Sequence, residues 1–355
     1  MKKYIIFIMS LLFSIYLSAQ IDTLLLPYDA TSLTQEQQES NPSVLAYPTS
    51  MKDQMPRMKC NYDKVAFTID NQGHKVLFSS GNLQFQPSTY TWRFAEHQWD
   101  FVGFEDSGNV YENGVKCNNS LISNTYNGWI DLFGWATSGW PRRFSGYGVE
   151  SYDYYYWPTA TADDKCICYK YYVGNSRSGS FEKGSGNENA DWGVYNQIGS
   201  DPAGTWRTLS KNQWNYVINL RPNASDLCGF GNVNGVDGLI LLPDLWQPIV
   251  GLSFIPSNTN TIVNNYSVAD WTQMENNGAI FFPCAGSRCN TTGAAGVFGH
   301  YWSATPNIEI ETTCDHVGLV NYMAYCLYFG TSINATATKY RSYGSSVRLV
   351  RDIED

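Results

Sequence analysis

The sequence has little charge and little histidine. Charged residues make up 15% of its 355 positions, against roughly 25% in an ordinary soluble domain. The 23 basic and 32 acidic residues leave a formal net charge of −9. No positive field is available to neutralise phosphates, so nucleic-acid binding is not expected. The only histidines are His74, His97, His300 and His316. A hydrolytic triad or a His-rich metal site would have to draw on these, and each stands without a partner motif. The phosphate-cradling GxxxxGK[ST], the dinucleotide GxGxxG, the GxSxG elbow and the HExxH helix are all absent. So is any CxxC pair, which weakens zinc-ribbon and thioredoxin-like readings. Beyond the amino terminus no apolar run could span a membrane.

That terminus reads as a targeting segment. Lys2 and Lys3 precede the apolar stretch Tyr4–Leu17, and Leu17-Ser18-Ala19 precedes Gln20. This is the pattern of a signal peptide over residues 1–19. The apolar stretch is shorter than the ~20 residues a spanning helix needs. The expectation is an exported protein, periplasmic, cell-surface or extracellular. Residues 20–63 hold Pro27, Pro42, Pro48 and Pro56 but no Gly and no Trp, and read as a spacer or partly disordered leader. Residues 64–355 then read as one domain.

Export makes the nine cysteines disulfide-permissive. They are Cys60, Cys117, Cys166, Cys168, Cys228, Cys284, Cys289, Cys314 and Cys326. An odd count leaves at least one thiol unpaired if the others bond within the chain. Cys284 and Cys289 read as a local disulfide clasping a turn. The competing reading is a copper-binding thiol pair, since soft thiolates select Cu(I), but no adjacent His or Lys activates them.

Aromatics are abundant: 12 Trp, 25 Tyr and 17 Phe. Such a chain buries ample apolar surface, which excludes disorder over most of its length. All glycines lie between Gly73 and Gly344, and all tryptophans between Trp92 and Trp302. Short β-type runs alternate with Gly/Asn/Ser turns. Strands are expected at Val65–Ile69, Lys75–Phe78, Leu83–Gln86, Trp92–Phe94, Leu239–Leu242, Ala279–Phe282, Ala324–Phe329 and Val347–Val350. Two helices are expected. Ser210 can cap Lys211–Leu220, whose Trp214, Val217 and Ile218 share a face. Ser267 stands three before Asp270, and Gly278 stops that helix. The stretch from Asn118 to Gly204 shows little periodicity and needs aromatic packing to hold it. The run Asn232–Gly238 lacks the alternating acids and closing Glu of a calcium loop; a tight turn explains it. Carboxylate pairs such as Glu105/Asp106 and Asp163/Asp164 read as solvated loop charge.

An ordered series of segments carries a family likeness. It begins with Ser80–Phe85, Thr91–Glu96 and Tyr126–Trp135, and continues with Gly204–Ser210 and Gly238–Asp244. Gly278–Gly286, Tyr301–Thr305 and Gly344–Asp352 complete it. Together these resemble the Fibrobacter succinogenes major paralogous domain family, over roughly Lys64 to Asp352. The resemblance implies an α+β, C-type lectin-like fold with short twisted antiparallel sheets, two main helices and long irregular aromatic-rich loops. It also implies kinship with formylglycine-generating enzymes and with variable proteins of diversity-generating retroelements. In the latter, the ligand face lies on the last strands and loops. Carried over here, it implies a face between Tyr301 and Tyr343, with Asn307, Asn321, Tyr322, Tyr328, Asn334, Tyr340 and Tyr343 as candidate ligand contacts. Tyr gives large contact area at low entropy cost and Asn gives adaptable hydrogen bonds.

Departures from the pattern shape the expected function. The glutamate-proline-asparagine and tryptophan-asparagine-aspartate motifs of calcium-dependent sugar binding are absent, so neither metal nor cofactor is expected. The arginine-glycine-glycine-serine segment that precedes the cysteine pair of formylglycine-generating enzymes is missing too. The reading is therefore a secreted or surface-exposed recognition protein, not an enzyme, binding an extracellular protein or glycan. A copper-dependent oxidase using Cys284/Cys289 and a structural surface protein without a ligand are the alternatives.

Overall fold

A computed structural model describes residues 62–86, 89–101, 110–112, 115–117, 129–138, 179–259, 261–289, 292–293, 296–307, 323–341 and 343–353. The signal-peptide and spacer readings of 1–61 lie outside these residues. A 3-10 turn, Tyr62–Val65, leads into β1 (Phe67–Thr68), β2 (Lys75–Phe78), β3 (Leu83–Gln86) and β4 (Thr91–Phe94). The small strands β5 (Val110–Glu112) and β6 (Val115–Cys117) follow. Next come α1 (Trp192–Tyr195) and α2 (Lys211–Asn215), which runs on as a π-helical turn, Tyr216–Leu220. Then follow β7 (Cys228–Val233), β8 (Val236–Leu241), β9 (Asn264–Tyr266), α3 (Val268–Asn276) and β10 (Ile280–Pro283). The chain closes with β11 (Arg288–Cys289), β12 (Thr292–Gly293), β13 (Gly299–Asn307), β14 (Met323–Phe329), β15 (Ile333–Tyr340) and β16 (Val350–Asp352).

These elements give an α+β architecture of short, mostly antiparallel sheets with few helices. Three sheets organise it, in the orders β1-β2-β16, β10-β8-β7-β9 and β13-β14-β15. Only the β7–β9 pairing among them is parallel. Residues Asn61–Asp355 form one compact unit.

Alternation along the strands builds a layered core, because successive side chains leave a strand on opposite faces. Trp302, Ala324 and Cys326 point into one aromatic cluster with Trp135, Trp192 and Phe133. Tyr301, Leu327 and Phe329 point the other way, into a second cluster with Trp214. Leu239, Leu241 and Phe282 meet that second cluster from the four-stranded sheet. Ile240 and Phe281 turn from it into a third, where α3 adds Trp271 and Met274. The four-stranded sheet thus buries both faces, which is why Leu239–Leu242 reads as an unbroken apolar run; in the other sheet β13 is covered while β15 is buried at Ala335 alone. Gly299 permits this packing: a Cβ there would collide with the Phe329 ring.

Local signals act as their residues dictate. Ser210 and Gln213 form a capping box, and so do Ser267 and Asp270. Gly278 ends α3 at φ 90°, a conformation open to glycine. Asn234 and Gly235, both at positive φ, join β7 to β8 as a two-residue turn. Asn232 Nδ2 donates to Asp237 Oδ1 at 2.6 Å, so this segment is a hairpin clasp.

Three expected elements differ. The helix expected over Lys211–Leu220 is α-helical only to Asn215, after which its backbone widens and Arg221 N–H reaches Tyr216 O. The strand expected at Val65–Ile69 shrinks to Phe67–Thr68 because the preceding residues form the 3-10 turn. The strand expected at Val347–Val350 begins only at Val350. Before it the backbone bonds singly to several elements: Ser346 N–H to His300 O, Leu83 N–H to Val347 O, Ser79 N–H to Leu349 O. No single ladder can then form.

Candidate functional site

β13, β14 and β15 pair antiparallel, with His300 opposite Tyr328 and Tyr328 opposite Asn334. Where the aromatic core stops covering this sheet, polar and aromatic side chains gather. The centre of the group is Lys339. Its Nζ donates to Ser287 Oγ at 2.8 Å and lies 3.2 Å from His300 Nε2. The Phe298 and Tyr343 ring centroids are 5.6 and 5.5 Å from the same ammonium, within cation–π range. Tyr328 packs on His300 at 5.0 Å and on Phe298 at 6.1 Å. Tyr340 packs on Tyr343 at 5.3 Å.

His300 explains the electrostatics. It is 8% exposed, and burial first, then the Lys339 charge, push its pKa down to about 3. The neutral imidazole accepts from Lys339 through Nε2, and Nδ1, with no hydrogen-bond partner among the described residues, carries the ring proton. Ser287 reaches the group from the loop after β10, where Gly286 bridges to Gly299.

The candidates taken from the family likeness divide. Tyr328, Asn334, Tyr340 and Tyr343 all lie on β14, β15 or the turn after β15, and none is fully buried. Tyr328, Tyr340 and Tyr343 join the group around Lys339. Asn334 is exposed, and its Oδ1 accepts from its neighbour Thr336 N–H at 2.9 Å. Asn307 is a correction: at 4% exposure it is buried at the end of β13, paired with Met323, and cannot stand outward. Asn321 and Tyr322 lie outside the described residues. Lys339, His300 and Ser287 were not among the candidates. His300 was visible only as one of four unpartnered histidines, and Lys339 carries no motif. Ser287 sits in Phe282–Cys289, a segment that drew notice for its cysteines alone.

The expected Cys284–Cys289 clasp is also corrected. Cys284 is a free, buried thiol, and burial, aided by Asp237, pushes its pKa up to about 12. Cys228 and Cys326 are likewise free and buried. The side chain of Cys289 lies outside the description. Among the described residues no three His, Cys, Asp or Glu side chains gather as metal ligands, and no helix is long and apolar enough to cross a membrane. No family model, no curated protein and no solved structure matches this chain.

Proposed function

We propose that this chain is an exported, non-catalytic recognition protein that binds an extracellular protein or glycan. The C-type lectin-like fold of the Fibrobacter succinogenes major paralogous domain family belongs to the same proposal. Its binding face is the patch of Lys339, Tyr328, Tyr340 and Tyr343. The observation that carries the reading is the setting of Lys339: a half-buried cation held by side chains and rings on β15, the strand of its sheet that the core leaves half-open. Fixed aromatic rings and a fixed cation lose little freedom on binding, which lowers the ordering cost. Recognition is favoured over catalysis by the direction of the hydrogen bonds. An ammonium that already donates to Ser287 Oγ is no base for that hydroxyl. Its neighbour His300 is held neutral by burial and occupied at Nε2. The oxidase alternative has less support, because the Cys284 side chain is buried and not presented to solvent.

The test is an array of glycans and extracellular proteins, probed with wild type, Tyr328→Ala and Lys339→Ala. Saturable binding to a defined ligand is expected, weakened about tenfold or more in each variant. Absence of any ligand, or equal binding by the variants, defeats the reading.

A further inference from the structure

A second site lies in a groove that shares no residue with the patch around Lys339. It has a volume of about 380 Å³, within the range that holds small ligands. Its charged groups are Arg351 from β16, Asp201 from the turn before Trp206, and Glu275 from α3. Its apolar wall is Phe94 and Trp206, whose rings meet edge to face at 4.9 Å.

Each carboxylate is held from behind. Asp201 Oδ2 accepts the Trp206 indole N–H at 2.8 Å. Glu275 Oε1 accepts from Gln98 Nε2 at 2.9 Å. Gln98 is 1% exposed and is itself fixed, bonding the Ala279 carbonyl and the Phe281 N–H. A carboxylate held through one oxygen keeps lone pairs on the other. The cation is different. The Arg351 guanidinium lies 5.6 Å from the Trp206 ring and 5.8 Å from the Tyr62 ring. It takes part in no hydrogen bond or ion pair among the described residues. Side-chain donors without acceptors among the described residues thus line a groove that also holds two pre-positioned acceptors and the half-buried Phe94 ring.

The geometry points to a saccharide site, taking one or two pyranose rings. A sugar hydroxyl both donates and accepts, so neighbouring hydroxyls can be read by a carboxylate and a guanidinium together, in charge-assisted bonds. The apolar C–H face of the ring has the half-buried Phe94 to pack on. The buried Trp206 indole backs the Phe94 ring and fixes Asp201 through its N–H.

The experiment titrates the full chain with glucose, galactose, mannose, N-acetylglucosamine and galacturonate, by saturation-transfer NMR and calorimetry. Glycine, glutamate and lysine serve as zwitterionic comparators. At least one saccharide is expected to bind saturably, with a millimolar dissociation constant and saturation transfer to its C–H face. Arg351→Gln and Asp201→Asn should each weaken it about tenfold or more, and Tyr328→Ala should leave it unchanged. Among the described residues the Arg351 guanidinium has no hydrogen-bonding partner to lose, so Arg351→Gln carries the test if Asp201→Asn disturbs the fold. The inference is overturned if no saccharide saturates, if Arg351→Gln binds as wild type, or if only the amino acids bind. Because the groove and the Lys339 patch share no residue, either reading can fail while the other stands.

Discussion

Arg348 and Lys339 are close in sequence and unlike in surroundings. Arg348 is 0% exposed. Its Nη1 and Nη2 donate to the carbonyls of Ser79 and Phe281, at 3.2 and 2.5 Å, and its guanidinium lies 5.1 Å from the Phe282 ring. Burial drives its pKa down to about 10. Lys339 is half-buried, and Ser287 Oγ and His300 Nε2, both side-chain atoms, accept from it. The difference is one of replaceability. A backbone carbonyl in a packed turn or strand cannot rotate away, so Arg348 ties the segment after β2 to β10. A hydroxyl and an imidazole can yield to a ligand that offers better acceptors. A buried cation serves the fold where its acceptors are main chain; it is available for recognition where they are not.

Three substitutions sharpen or break that contrast. The largest effect is expected from Arg348→Ala, which orphans two carbonyls and opens a cavity. A loss of about 3–5 kcal/mol in denaturant unfolding should follow, with little rescue by Arg348→Lys, whose compact ammonium cannot fork between both carbonyls. A loss under about 1 kcal/mol would show that the clamp does not hold the fold.

The next effect is a pH slope. The His300 pKa is depressed in the folded state to about 3. Its contribution is therefore present above its unfolded value near 6.5 and lost as pH falls toward 3. Asp191, buried at the start of α1, runs the other way. Its carboxylate accepts from the Gly193 and Thr208 N–H groups, yet desolvation raises its pKa to about 6. It costs stability as pH rises from about 4 through 6. The two slopes oppose each other in that window. His300→Gln should remove one and leave the other, so that the variant gains on wild type by up to about 1.4 kcal/mol per pH unit on acidification. Parallel melting curves for the two proteins between pH 7 and 4 would contradict this.

The smallest effect is on stability in Lys339→Ala. Its hydrogen bonds are half-exposed and its rings remain packed, so unfolding should shift by about 1 kcal/mol or less. Ligand binding, in contrast, should fall. A shift as large as that of Arg348→Ala would make Lys339 another structural clamp.

Part of this molecule was legible from its residues. β2 and β3 stand where the β-type runs put them, and both capped helices begin where Ser210 and Ser267 predict. The face assignment within β14 also follows from alternation: Leu327 and Phe329 go one way, and Cys326 the other. Asn307 was misread because Asn is usually exposed. Nothing local distinguishes it from Asn334, which lies exposed on β15. Arg348 could not be recognised as buried, since a lone Arg between Val347 and Leu349 alternates as a surface residue would. The groove of Arg351, Asp201 and Glu275 escaped for a different reason: its three charges come from distant parts of the chain.

The sequence by itself determined the aromatic, weakly charged composition, the helix starts, the Asn234-Gly235 turn and most short strands. Capping, turn chemistry and alternation act between residues a few positions apart, so they are written where they act. Tertiary structure alone decided that the four-stranded sheet is covered on both faces, that Arg348 finds carbonyls, and that Lys339 meets Ser287 and His300. These depend on which faces of remote strands come together, and a sheet buried on both sides leaves no polar stripe to mark its faces.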